Sequence, residues 1–254
     1  MKITTNLKAL GVATTMLTGF VLGGSVTSYA AEDEDKHGGE YKSKAIIQFK
    51  ASDDFTPPVD PEEPGKPVDP KDPTDPDGKI PEGTKGPLSI DYASSLTFGE
   101  QKITSTDQTY FAEAQKFKGG RGDGPNYVQV TDSRGTEEGW SLQVIQDGQF
   151  ETEKGKVLDG AEITFKNAWV NTASSSKKPS IVKESYTLTP GKAENMMSAK
   201  AGEGNGTFVL VFGNKDVAAK SIELKVPGKT TKYAGQYSTS FTWTLTDVPG
   251  QDGK

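Results

Sequence analysis

The stretch Tyr237-Ser238-Thr239-Ser240-Phe241-Thr242-Trp243-Thr244-Leu245-Thr246 alternates without a fault. Tyr237, Thr239, Phe241, Trp243 and Leu245 fall on one side of an extended chain, and Ser238, Ser240, Thr242, Thr244 and Thr246 on the other, because successive side chains of a strand point to opposite faces. One side packs and the other stays wet, the pattern of an antiparallel sheet with one solvated face. Further back, Trp140, Leu142 and Val144 share a side opposite Ser141 and Gln143, with Ile145 out of step. Gly206 to Phe212 is apolar on both faces and is predicted in the middle of a sheet. Short strands are also predicted over 88–92, 126–131, 161–166, 185–189 and 221–226, and the last over 236–246. Turn residues such as Asp147-Gly148, Asp159-Gly160 and Gly213-Asn214-Lys215 separate several of them. The pattern predicts an all-β chain, a β-sandwich of mainly antiparallel strands rather than a closed barrel.

The amino-terminal part reads differently. Lys2 and Lys8 precede an apolar run from residue 9 to 26, and Ser28-Tyr29-Ala30 follows before an acidic stretch. This is the layout of a secretory signal peptide over residues 1–30, with small residues at Ser28 and Ala30 where a signal peptidase reads them. A retained membrane anchor is the alternative, disfavoured by the Gly and Thr that break the run and by its short length. Residues 31–52 then form a mobile charged start plus one short strand over 41–50, where Ala45, Ile46, Ile47 and Phe49 cluster between lysines. Ten of the fifteen prolines fall in 53–87, in runs such as Pro-Val-Asp-Pro. That composition cannot continue a helix or pair within a sheet. It predicts an acidic extended tether of up to roughly 100 Å, or a long loop if residues 41–50 join the domain at 88–254.

Composition removes whole classes of function. The absence of cysteine excludes disulfides, thiolate metal sites and cysteine nucleophiles. Without its first thirty residues the chain has 27 basic and 35 acidic residues, a net charge of −8, a poor match to nucleic acid or anionic lipid. No further segment is apolar enough to span a membrane after processing. The single histidine, His37, lies in a hydrophilic stretch and is read as solvated rather than catalytic. No dinucleotide, phosphate-loop, nucleophile-elbow or calcium-loop spacing occurs, so no catalytic residue, metal or cofactor is predicted.

Two Trp-x-Leu motifs remain: Trp140-Ser141-Leu142 in Gly-Trp-Ser-Leu-Gln-Val, and Trp243-Thr244-Leu245, preceded by Tyr237 and followed by Pro249. With the exported start, the acidic Pro-Val-Asp-Pro tract and Gly-Pro-Leu-Ser-Ile-Asp-Tyr at 86–92, the chain resembles the small members of the WxL-domain family of Gram-positive surface proteins. The resemblance covers nearly the whole chain. It implies secretion and non-covalent attachment to peptidoglycan at the cell wall, with other WxL proteins and a membrane-anchored WxL-interacting protein as partners. Attachment through a co-exported partner rather than peptidoglycan is an alternative. The sequence ends a few residues past the second motif with no sortase-type Leu-Pro-x-Thr-Gly signal, which is consistent with non-covalent holding.

Trp140, Leu142, Trp243 and Leu245 are the candidate residues for wall or partner binding, and Trp169, before the polar loop 171–176, is the third tryptophan considered. Aromatic faces stack on sugars. Yet Trp-x-Leu on a strand puts both side chains on one side, so a purely core role is the competing reading, in which the ligand lies on loops or on the face of Thr242, Thr244 and Thr246. Arg121-Gly122-Asp123 is the tripeptide that host integrins read, which raises a host-matrix adhesin as a further alternative. Gly-Gly-Arg-Gly-Asp-Gly is also an ordinary tight loop.

Overall fold

The computed structural model of the chain describes residues 38–250. The expected signal peptide and the first residues of the charged start lie outside the described residues. The chain divides into two units, residues 1–47 and 48–254. In the first, residues 38–47 form no strand, and Tyr41 and Ile46 expose 92% and 95% of their surface. The strand expected over 41–50 is therefore not formed. A strand exists only where neighbouring backbone takes up its N–H and C=O groups, and no bridge partner is recorded for these residues.

Among its described residues the second unit holds twelve strands: β1 Leu88–Ala93, β2 Gln108–Phe111, β3 Asn126–Asp132, β4 Trp140–Gln146, β5 Glu162–Phe165, β6 Ala168–Asn171, β7 Ile181–Val182, β8 Tyr186–Thr187, β9 Ala193–Ala199, β10 Gly206–Phe212, β11 Ile222–Val226 and β12 Phe241–Thr246. They form three antiparallel sheets in the orders β1-β3-β10-β6, β2-β11-β5-β8 and β12-β4-β9-β7. The all-β sandwich expected from period two is present. Its inner faces meet in one core, to which the first sheet brings Val130, Phe208, Leu210 and Phe212, the second Ile163, Phe165 and Ile222, and the third Trp140, Leu142 and Met197.

The first sheet is buried on both faces. β10, apolar on both sides, lies between β3 and β6, as its composition predicts. Its second face, with Tyr127, Val209 and Val211, is covered by Val59, Val68 and Ile80 of the proline-rich segment. From Pro57 onward that segment is thus a docked strap rather than a hydrated tether. Its backbone is satisfied partly by backbone bonds within the strap and to residues 116–118, such as Val68 to Pro58 and Lys71 to Lys116, and partly by side chains of the sheet. Gln129 accepts from the Val59 amide at 2.7 Å and donates to the Pro57 carbonyl at 3.1 Å, while Asn171 donates to the carbonyls of Pro61 and Glu62.

A register shift in β1 at Asp91 lets Ile90 face the main core while Tyr92 faces the strap, the usual effect of one extra residue in a strand. Burial pushes the Asp91 carboxyl up, opposed by hydrogen bonds from Thr131, Ser89 and Gln129.

β2, β6, β7 and β9 lie outside the expected strands, and β12 is shorter than expected. β12 begins at Phe241 rather than 236, because β4 ends at Gln146 and residues 237–240 instead follow Glu151, whose backbone exchanges two hydrogen bonds with Ser238. β9, which pairs with β4, has no clean alternation, because a second register shift lets Met196 and Met197 both be buried.

Candidate functional site

β4 and β12 are neighbours in the third sheet, and their register sets Leu142 opposite Leu245 and Val144 opposite Trp243. The two motifs, 103 positions apart in the chain, are thereby brought onto adjacent strands. β4 is an interior strand, flanked by β12 and β9, whereas β12 is the sheet edge. Trp140 and Leu142 are fully buried. The Trp140 indole N–H donates to the Gly204 carbonyl at 2.9 Å and the ring lies 6.3 Å from that of Phe208. Gly204 has φ +82°, and a Cβ there would lie 2.6 Å from the indole nitrogen. Trp140 thus presents no surface to solvent.

Trp243 and Leu245 point to the same core but are only half-buried, since no strand covers the far side of β12. Trp243 and Phe241 instead line a groove of about 430 Å³ shared with Ile90, Tyr92, Leu96 and Pro81. Trp169 belongs to neither motif's surroundings. It lies on β6 in the first sheet, opposite Val211, 36% exposed, with its indole N–H donating to the Gly213 carbonyl at 2.7 Å.

On its other face the third sheet presents polar groups in cross-strand rows. Thr244 stands opposite Gln143, which stands opposite Asn195, and Thr242 stands opposite Ile145. Thr242 and Thr244 are exposed, while Gln143 and Asn195 are half-buried. Beside them Ser240 donates to Asp147 at 2.6 Å, and the hydroxyls of Ser240 and Thr242 hold the Asp147 carboxyl below the usual carboxylate range. The face thus offers hydroxyls, amides and one carboxylate on a rigid ladder, the groups that fix hydroxyl-bearing and amide-bearing ligands. Among the described residues no group of three or more potential metal ligands is gathered, and no helix is long and apolar enough to cross a membrane.

The Arg121-Gly122-Asp123 loop does not present its cation. Arg121 is bonded to both carboxylate oxygens of Asp60 in the strap, at 2.5 and 2.7 Å, and its guanidinium lies 4.2 Å from the centre of the Phe117 ring. Burial pushes the Asp60 carboxyl up, but the hydrogen bond from Arg121 and the amides of Glu62 and Glu63 outweigh it and hold the group lowered. The side chain an integrin would read is used to fasten the strap.

Both motifs and the strands that carry them fall within one comparison. A family model described as WxL domain, surface cell wall-binding, matches residues 36–249. The chain belongs to the WxL-domain family. Its WxL domain is a cell-wall-binding domain, and the chain is a protein of the cell surface. No curated protein and no solved structure matches the chain. The match runs through the strap and back to residue 36, so in this family the WxL domain includes more than the strands around its motifs. Spacing within each motif puts its Trp and Leu on one side of the strand, but gives no sign of what surrounds Trp140: the glycine at 204 and Ala199 opposite it. The Gly202-Glu203-Gly204 spacing was the available signal, since two glycines with φ +82° around a buried Glu203 mark a loop held in one shape.

Proposed function

We propose that the chain is exported, cleaved after Ala30, and held without a covalent bond on peptidoglycan through the outer face of its third sheet. Thr242, Thr244, Gln143, Asn195 and Asp147 supply the contacts in this reading, and the two WxL motifs beneath them hold that face in shape. The observation that carries it is the pairing of the motifs on adjacent strands with both tryptophans turned inward. The side chains that alternate with them are then the ones left to meet a polymer. Polar rows on a preformed sheet cost little ordering on binding.

The test is pelleting of residues 31–254 with insoluble peptidoglycan stripped of proteins and secondary polymers. The protein is expected in the pellet, in proportion to the peptidoglycan added. Recovery in the supernatant at every peptidoglycan amount overturns this reading and leaves attachment through a co-exported protein.

A further inference from the structure

Residues 41–50, Tyr-Lys-Ser-Lys-Ala-Ile-Ile-Gln-Phe-Lys, have the β-branched and aromatic content of a strand. They leave Ile46 95%, Ile47 77% and Phe49 84% exposed. An exposed apolar segment that wants to be a strand is an aggregation hazard that natural proteins cover. The family match begins at residue 36, so the segment belongs to the shared domain and is not an appended leader.

The same chain carries an edge that lacks a strand. β12 has six residues and pairs only with β4. β1 is an edge of equal length, but Thr84 already occupies it, its amide donating to the Ile90 carbonyl and its hydroxyl accepting from the Ile90 amide, both at 2.8 Å. The groove of about 430 Å³ runs between these two edges, with Phe241, Trp243 and Ile90 on its walls. Added strands gain affinity from main-chain hydrogen bonds and specificity from pockets for alternate side chains. Charges match as well. Asp147 lies beside Ser240 just before β12, and Asp247 follows Thr246 at its end. Lys44 and Lys50 bracket the apolar residues 45–49 at a similar separation.

We propose that residues 41–50 of one copy add as a strand to the open edge of β12 in a second copy, with Ile47 and Phe49 entering the groove beside Trp243. In a single chain the segment stays unpaired and exposed, so the occupant is the neighbour's. Each copy has one donor segment and one acceptor edge, so the contact is head-to-tail and leaves an end open for the next copy. On a wall, such a row multiplies a weak contact per copy through effective concentration. The proposal does not depend on which polymer the outer face binds.

The experiment is sedimentation velocity of residues 31–254 without wall material across the micromolar range, alongside Ile47→Asp/Phe49→Asp. The wild type is expected to reach at least roughly twice its monomer mass as concentration rises. The variant, changed only at exposed positions, is expected to stay monomeric with an unchanged melting temperature. A synthetic peptide of residues 41–50 is then added to the variant and followed by amide hydrogen exchange, with new protection expected across Phe241–Thr246. A wild type monomeric throughout, a variant that still assembles, or peptide protection absent from β12 each overturns the proposal.

Discussion

Trp140-Ser141-Leu142 and Trp243-Thr244-Leu245 are the same motif on neighbouring strands, facing the same core, with opposite exposure. The first is sealed, its indole satisfied by the Gly204 carbonyl, and the second is half-open to a groove. Nothing in the tripeptides accounts for this. The difference comes from sheet order, since β4 has a strand on either side and β12 has one. A recurring motif can therefore hold two jobs, one as the floor of the domain and one at its rim, and mutations should separate them.

The largest separation is expected in stability. Trp140→Ala empties a fully enclosed site and should cost about 4 kcal/mol in urea unfolding. Gly204→Ala attacks the same floor from outside, through a left-handed backbone and a Cβ driven against the indole. It should cost about 2 kcal/mol, and relief of that cost by Trp140→Phe in a double-mutant cycle would tie it to the indole. Trp243→Ala removes a half-buried ring and should cost about 1 kcal/mol. Equal losses for Trp140→Ala and Trp243→Ala would break the contrast between floor and rim.

The smallest effect is a pH dependence confined to the rim. The Asp147 carboxyl is lowered by the Ser240 and Thr242 hydroxyls. Its folded state therefore binds fewer protons than the unfolded chain, and the stability it contributes is present above the usual carboxylate range and is lost as pH falls through its lowered value. Asp147→Asn should lower stability slightly at neutral pH, where that contribution is present, and match the wild type at low pH, so that its acid limb is slightly flatter. An identical acid limb in wild type and variant removes Asp147 from the β12 surface network.

Much of the fold was legible because burial writes itself into period two. β4 and β12 each show it, and β10, apolar on both faces, announced a sheet covered on both sides. What covers it was not legible. The proline-rich tract advertises only that it cannot join a ladder, while the groups that catch it, Gln129, Arg121 and Asn171, lie far along the chain and look like ordinary polar residues. β9 was hidden for a related reason. Its register shift places Met196 and Met197 both inside, which cancels the alternation a reader looks for. At the site, the shared face of each Trp and Leu followed from spacing alone. That one motif would be interior and the other an edge depends on strand order, to which local pattern is blind.

The most direct measurement compares peptidoglycan pelleting of residues 31–254 with that of Thr242→Val/Thr244→Val, which keeps the β-branched shape and removes only the two outward hydroxyls. Under the proposed reading, in which the outer face of β12 is the contact and the tryptophans beneath it are support, wall affinity should fall about tenfold with no change in melting temperature. Undiminished binding by the valine variant, together with lost binding by a folded Trp243→Ala protein, would contradict this and make the rim tryptophan the residue that touches the wall.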